Sequence, residues 1–267
     1  MTGPVFQWLG TAGFRITYGD EVILIDPYLS RNEWARPVQG LSPADMADAD
    51  YIFLSHGHFD HLADVPAIVE ASGARVYCSD VAAATLVGKG VPESSITELY
   101  GGKALELDGF EVKTATCPHI RFDIKLLLKT VPRVVPEIRR LLPHVRGMPA
   151  GPVLIFTLQF EGLSVMHLGS LGVTPAMARK VGLGPVDILM PPLQGHTDIC
   201  RLAAELTREL APRAVIPHHH DDFFPPISQS VDIEHFRQLV GQWLPDCAYY
   251  EPQINRTFST SDVFGHD

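Results

Sequence analysis

The sequence predicts an α/β protein in which two β-sheets pack face to face and helices cover their outer surfaces. Short apolar runs joined by short links predict neighbouring antiparallel strands. Continuous apolar runs followed by helical segments predict strands that are buried on both faces. Both halves of the 267-residue chain follow this order, without a detailed sequence repeat. With 46% hydrophobic residues, the chain can form one core, so we predict a single domain over residues 1–267.

The first half of the chain begins with three strands and continues with strand–helix units. The opening strands are "VFQWL", "FRITY" and "EVILI", separated by "GTAG" and "YGD". The run "YIFLS" at Tyr51 to Ser55 predicts a buried strand, and "HLADVPAIVEASG" predicts a helix that ends near Gly73. Later strands are predicted for "ARVYC" and "FEVKTATC".

The second half repeats this mixture of strand pairs and strand–helix units. A hairpin is predicted for "VLIFTLQF" and "LSVMHLG", which flank the turn "EG". The segment "VDILMPP" predicts another buried strand, and "CRLAAELTREL" predicts an amphipathic helix. The segment "RAVIPHHH" runs from a strand into three consecutive histidines.

Residues 120–151 interrupt this order and are predicted to form a helical lid inserted into the domain. We expect two short helices that are broken at Pro132 and Pro136. From Arg121 to Arg146 there are seven basic and two acidic residues, a net charge of +5 that leaves −15 for the rest of the chain. This segment is either a solvated helical face or a lid or rim that attracts anions.

The stretch "LSHGHFDHL" at residues 54–62 places four possible metal ligands directly after a predicted strand. His56 and His58 are two positions apart in extended chain, so their side chains leave on the same side. Gly57 between them permits a tight approach, and Asp60 and His61 lie in the turn that opens the next helix. Buried polar groups need partners. A metal supplies them, and this ligand set favours zinc, with iron or manganese as alternatives.

The segment "HGHFDH" resembles the HxHxDH signature of the metallo-β-lactamase fold. The likeness extends through "FQWLGTAGFRI", "ILIDPYLS", "VMHLGSLG", "VDILMPPLQGHTD" and "AVIPHHHDDF". It implies a four-layer αββα sandwich. Within that family, the chain is most similar to the branch that contains ascorbate-6-phosphate lactonase.

The resemblance implies two metal sites. The first would be held by His56, His58 and His119, and the second by Asp60, His61 and His219. His219 is favoured over its neighbours because the family pattern is proline, any residue, histidine, and Pro217 sets that register.

Three further polar residues have expected roles near these ligands. Asp26 in "LIDP" resembles a carboxylate that orients the histidines, although a structural role in a turn is an equal alternative. His167 is expected to be structural. Ser170 stands where the family has an aspartate that bridges two metals, which predicts a weaker second site because a hydroxyl cannot offset the repulsion between two dications.

These ligands predict a hydrolase that uses metal-activated water on an ester, lactone, amide or phosphodiester substrate, with one or two zinc ions per chain. Asp60 is the predicted proton acceptor, and His196 would orient the substrate or replace a missing ligand. One alternative is a metal-binding regulatory or binding protein with little turnover, which Ser170 favours. Another is a di-iron redox protein, which the missing bridge disfavours.

Composition limits the partners. The net charge of −10 argues against nucleic acid, so a small molecule, anionic or lipid-like, is the expected partner. Leu126, Leu127 and Leu128 are also compatible with a dimer contact. No apolar run is long enough for a membrane span. The N-terminal residues do not resemble a signal peptide, and the four cysteines form no CxxC motif, so a cytoplasmic protein with reduced thiols is expected.

Overall fold

The computed structural model describes residues 3–265, with the side chains of His144 and Val145 excepted. The predicted domain of residues 1–267 therefore extends two residues beyond the described chain at each end. The described strands, in chain order, are β1 (Val5–Gly10), β2 (Gly13–Tyr18), β3 (Glu21–Ile25), β4 (Tyr51–Phe53), β5 (Arg75–Cys78), β6 (Ile96–Glu98), β7 (Ala104–Leu107), β8 (Phe110–Cys117), β9 (Val153–Phe160), β10 (Leu163–Leu168), β11 (Ile188–Met190), β12 (Ala214–Val215), β13 (Ala248–Tyr249) and β14 (Thr257–Ser259).

These strands form two mixed sheets of similar design. The first has the order β14-β1-β2-β3-β4-β5-β6, and the second has the order β13-β12-β11-β10-β9-β8-β7. In the first sheet, β14, β1, β2 and β3 pair antiparallel, and β3 to β6 pair parallel. In the second, β7 to β10 pair antiparallel, and β10 to β13 pair parallel. Each half of the chain thus supplies strand pairs and strand–helix units, as predicted.

Helices cover the outer faces of both sheets. Their bounds are α1 (Phe59–Leu62), α2 (Val65–Ser72), α3 (Asp80–Gly88), α4 (Ile124–Val134), α5 (Ile138–Val145), α6 (Pro175–Lys180), α7 (Ile199–Leu210), α8 (Glu234–Trp243) and α9 (Thr260–Phe264). Short 3-10 turns lie at Pro43–Met46, Glu93–Ser95 and Val135–Glu137.

Three apolar cores separate the four layers. The central core joins the facing sides of the sheets, with Phe14 and Phe53 from the first sheet and Phe156 from the second. A second core lies between β9 to β12 and the helices α6 to α8. A third lies between the first sheet and α2 and α3. This arrangement confirms the predicted αββα sandwich.

Two predicted helices differ in detail. The helix expected before Gly73 is divided into α1 and α2, and the Asp64 carboxylate at the division accepts hydrogen bonds from the backbone N–H groups of Leu29 and Ser30 at 2.6 and 2.8 Å. In the segment of residues 120–151, the prediction that Pro132 breaks a helix was wrong. Pro132 lies inside α4, two residues before its end, where a proline removes only one backbone donor. The break is the 3-10 turn that contains Pro136.

Within residues 3–265, the helices are too short or too polar to cross a membrane.

Candidate metal centre

The histidine turn lies at the carboxyl end of β4, at the rim of the sandwich. His56 and His58 occupy the loop after the strand, and Asp60 and His61 lie on the single turn of α1. His56, Asp60 and His61 are buried. This is the edge at which parallel strands of α/β proteins place their sites.

The structure brings His56, His58 and His119 together in one group. Their ligand nitrogens all lie within 4.8 Å of one another, and His56 Nε2 lies 3.1 Å from His58 Nδ1. His119 follows β8, and its Nδ1 donates a hydrogen bond to the Ile120 carbonyl oxygen at 2.8 Å. With the proton on Nδ1, the lone pair of His119 Nε2 is free to coordinate a metal.

Asp60, His61 and His219 form the second group, also with ligand atoms within 4.8 Å of one another. Asp60 Oδ2 lies 3.8 Å from His61 Nε2 and 3.4 Å from His219 Nε2. The two groups are adjacent, because the rings of His56 and His61 are only 3.9 Å apart between centroids. All six predicted ligands therefore meet in one place.

His219 is held by a buried network that the sequence did not reveal. Its backbone has a left-handed φ of 55°, and its N–H donates to the Thr11 carbonyl oxygen at 2.8 Å. The Thr11 N–H in turn donates to both carboxylate oxygens of Asp221, at 3.0 and 3.1 Å. Arg31 Nη1 lies 2.6 Å from Asp221 Oδ2, and both side chains are buried. This network fixes the register that places His219, rather than His218 or His220, beside Asp60.

Asp26 lies directly behind His61. Its Oδ2 is 2.9 Å from His61 Nδ1 and accepts a hydrogen bond from Ser55 Oγ at 2.5 Å. Its Oδ1 accepts the Ser55 N–H at 2.7 Å, and Ser55 Oγ is 2.9 Å from His56 Nδ1. One carboxylate thus orients a ring from each group, which is the geometry of a residue that supports metal ligands. Ser55 was not singled out from the sequence, although it immediately precedes the motif.

At two glycines near the site, the backbone of another segment lies too close for a side chain. Gly57 donates its N–H to the Ala150 carbonyl oxygen at 2.8 Å, and a Cβ at Gly57 would lie 2.4 Å from the Pro149 oxygen. A Cβ at Gly172 would lie 1.6 Å from the Pro118 oxygen, just before His119. Both positions therefore leave no room for a side chain and require glycine.

Ser170 lies in the wall of the same pocket, but it serves the loop of His119. Its Oγ accepts the Ile120 N–H at 3.0 Å, while the Ile120 carbonyl oxygen accepts from His119. Ser170 therefore holds Ile120, whose carbonyl oxygen orients the predicted ligand His119. Whether its lack of charge weakens the second site stays a prediction.

The other two histidines singled out from the sequence lie outside the groups. His167 is fully buried, donates from Nε2 to the Ala12 carbonyl oxygen at 3.0 Å and stacks on His218, in keeping with a structural role. His196 lies on the loop outside the pocket wall, with Nδ1 accepting the Asp198 N–H at 3.0 Å and 3.6 Å from Asp123 Oδ2. This placement does not favour the predicted catalytic role, because His196 contacts the start of the next helix and not the ligand groups.

A cavity of about 430 Å³ opens over both groups. Its wall is largely apolar and includes Phe59, Leu126, Leu127, Met148 and Phe223. No lysine or arginine belongs to this wall in the described chain. Phe59 and Phe223 were not predicted from the sequence, although Phe59 directly follows the predicted ligand His58 and Phe223 lies four residues after His219.

The donor set fits a metal ion. Burial lowers the pKa of His56 well below its usual range, and burial lowers that of His58 to about 4. Both rings are therefore neutral at pH 7, as metal ligation requires. Burial raises the pKa of Asp60, but His61 and His219 outweigh it and leave the pKa lowered, so the carboxylate is ionised. Among the residues that the structure describes, buried His219 Nδ1 has no hydrogen-bond partner. Three imidazoles beside a second set of two imidazoles and a carboxylate match known zinc ligand types.

Comparisons with known proteins agree with this geometry. The profile of the beta-lactamase superfamily domain matches residues 5–219. A UPF0173 metal-dependent hydrolase from Pyrococcus horikoshii is 31% identical over 237 residues, which cover 88% of this chain and 91% of that protein.

Solved structures share the fold. A metallo hydrolase from the hyperthermophilic archaeon Ignicoccus hospitalis superposes with a TM-score of 0.69 at 20% identity, covering 97% of this chain and 99% of that one. A diiron β-hydroxylase from Streptomyces venezuelae superposes with a TM-score of 0.65 at 16% identity, covering 97% of this chain and 54% of that one. The fold thus occurs in proteins that are described as having different activities. The chain belongs to the beta-lactamase superfamily, as a metal-dependent hydrolase of the UPF0173 family.

Proposed function

We propose that the chain hydrolyses a small ester, lactone or amide that carries an apolar group, with zinc as the metal at the site of His56, His58 and His119. The observation that carries this proposal is the apolar cavity over two adjacent ligand groups. An apolar wall favours an apolar substrate, and the polar ligands at its floor mark the reacting end.

The residues in the cavity wall favour some substrate classes over others. A phosphodiester or a sugar phosphate brings negative charge that needs cationic partners. The described wall offers no lysine or arginine, so these substrates would depend on the metal alone. We therefore place carboxylic esters, lactones and amides before phosphodiesters. The likeness to the branch that contains ascorbate-6-phosphate lactonase supports a lactone substrate. The absence of lysine and arginine from the described wall favours a lactone that carries no phosphate group.

Each site residue has a proposed part in the reaction. When bound, zinc lowers the pKa of a coordinated water and polarises the substrate oxygen. His56, His58 and His119 would hold the ion, and the Asp60 carboxylate would accept a proton from the attacking water. Asp26 keeps His61 in orientation through Nδ1. Phe59 and Phe223 exclude bulk water from the cavity.

Ser170 favours a second candidate, a metal-binding regulatory protein with little turnover. A hydroxyl cannot replace the charge of a bridging carboxylate, so a weak second site would leave a protein that binds metal and ligand without efficient hydrolysis.

One experiment separates these functions. The purified chain is assayed for metal content and tested on nitrophenyl esters of increasing acyl length, on γ-lactones and on a bis-nitrophenyl phosphodiester. We expect ester or lactone hydrolysis that rises with acyl length and is lost with a chelator. His58→Ala should lower the rate at least about 100-fold, whereas His235→Ala, at an exposed histidine on α8, should not. Faster phosphodiester turnover would overturn the substrate class. Bound metal without turnover on any substrate would favour the binding protein.

A further inference from the structure

The segment of residues 121–146 presents an apolar stripe to solvent. Ile124, Leu128 and Val131 recur at helical spacing on α4, and Ile138 and Leu142 do so on α5. Val135 lies in the 3-10 turn between the two helices. All six are exposed; Ile124 is 75% exposed and Leu128 71%. Singly exposed apolar residues are ordinary, but six exposed apolar side chains within residues 124–142 are typical of an interaction surface.

Basic side chains flank the stripe. Lys125 and Lys129 are one helical turn apart on α4, next to the apolar row, and both are exposed. Neither has a carboxylate within ion-pair distance in the described part of the chain. The segment has a net charge of +5 against −15 for the rest of the chain. An apolar row beside unpaired cations is complementary to an anionic surface with an apolar interior.

The stripe is continuous with the cavity over the ligand groups. Phe122 and Leu127 are 53% and 43% exposed, and both also line that cavity. On the inner side of α4, Leu126 and Thr130 line it too. An apolar path therefore leads from the outer surface of the segment to the ligand groups.

We propose that this stripe docks on an anionic lipid surface, which would be a source of apolar molecules for the cavity. A second copy of this chain fits less well, because a symmetric contact would place two segments of net charge +5 against each other. A folded acidic protein would cover Phe122 and Leu127 at the cavity mouth without supplying an apolar molecule. The docking itself does not depend on turnover, so it stands or falls separately from the hydrolase activity.

Vesicle flotation tests the proposal on the full-length protein. We expect binding to vesicles of phosphatidylglycerol and phosphatidylcholine, weak binding to phosphatidylcholine alone, and weaker binding at high salt. Lys125→Gln combined with Lys129→Gln should weaken partitioning on the order of 10-fold. Ile124→Ser combined with Leu128→Ser should also weaken it on the order of 10-fold.

A matched control pair lies on another face. Val87→Ser combined with Lys89→Gln changes an exposed valine and an exposed lysine near the end of α3, and should leave partitioning unchanged. Unchanged thermal unfolding of each variant shows that the fold is kept. Failure of the wild type to float with anionic vesicles would overturn the proposal, as would equal binding by the stripe variants. A dimer that dissociates in the Ile124→Ser and Leu128→Ser variant, without vesicle binding, would assign the stripe to a second copy instead.

Discussion

At the scale of single residues, Ser170 supplies a hydrogen bond at the candidate metal centre without supplying charge. Its hydroxyl accepts the Ile120 N–H and so anchors the loop of His119, but it brings no charge to the space between the two ligand groups. An aspartate could keep the hydrogen bond and also offset the repulsion between two metal ions.

Ser170→Asp should therefore raise occupancy of the site formed by Asp60, His61 and His219. We expect about one metal per wild-type chain and close to two per variant chain, measured by elemental analysis after dialysis. Ser170→Asn is the matched control, because it has the same size without the charge. If the wild type already retains two metals through dialysis, another group bridges them and this account of the serine is wrong.

Gly57 gives a second test at the residue scale. A methyl group there would lie 2.4 Å from the Pro149 oxygen, so Gly57→Ala must displace either the 149–150 backbone or the loop of His56 and His58. We expect a loss of stability of about 1–3 kcal/mol together with weaker metal binding. Gly184→Ala is the control, since a Cβ there would meet nothing within 4 Å. Urea unfolding and metal titration measure the two effects, and normal values of both for Gly57→Ala would refute the contact.

Buried His167 makes stability depend on pH. Burial lowers its pKa in the folded chain to about 4, while an unfolded histidine titrates near 6.5. As pH falls from about 6.5 to 4, the unfolded chain gains a proton that the folded chain does not bind, so stability falls by up to about 3 kcal/mol from this residue.

His167→Phe should flatten this dependence. The drop in unfolding free energy between pH 7 and pH 4.5, measured by urea unfolding in the presence of a chelator, should be smaller in the variant than in the wild type. His235→Phe, at an exposed position, should keep the wild-type drop. An equal drop in His167→Phe would show that His167 is protonated inside the fold.

At the scale of elements, α4 and α5 contact the body of the molecule on one side and are exposed on the other. Leu126 and Thr130 line the cavity and Leu141 is buried in a small core with Tyr28, Phe223 and Phe224, while the opposite side of the segment is exposed. This combination suits the predicted lid, which needs contact with the cavity and weak attachment to the body.

Limited trypsin digestion tests the lid. Cleavage should occur first between Arg121 and Arg146, and decanoate, an anionic apolar probe, should slow it by filling the cavity beneath α4. Cleavage after the exposed Lys103 serves as the internal control, because that residue lies outside the cavity wall. If fragment analysis shows no protection within the segment, the solvated-face interpretation holds instead.

At the scale of the whole molecule, patterns that depend on local spacing were predictable from the sequence. Strand alternation, buried apolar runs and the HxHxDH motif predicted two sheets, the helical layers and the grouping of His56, His58, Asp60 and His61. The later predicted ligands His119 and His219 required the family resemblance, because they lie in the loops after β8 and β12 of the second sheet, far along the chain from the motif.

Contacts between distant segments could not be predicted in this way. The network of Thr11, Arg31 and Asp221 behind His219 joins chain ends about 200 residues apart, and no local pattern marks it. The position of His196 also depends on a contact between distant segments, because its loop turns toward Asp123 at the start of α4. Both depend on how the two halves of the chain meet. The catalytic role of His196 stays a prediction.

The central claim is that His56, His58 and His119 form the stronger metal site, and an anomalous difference map from crystals of the zinc-loaded protein tests it most directly. The account predicts a zinc peak about 2.0–2.1 Å from one nitrogen of each of these three histidines, with a weaker peak or none among Asp60, His61 and His219. In His58→Ala crystals the first peak should disappear. A full-occupancy peak only at the second group, or zinc bound elsewhere, would contradict the account.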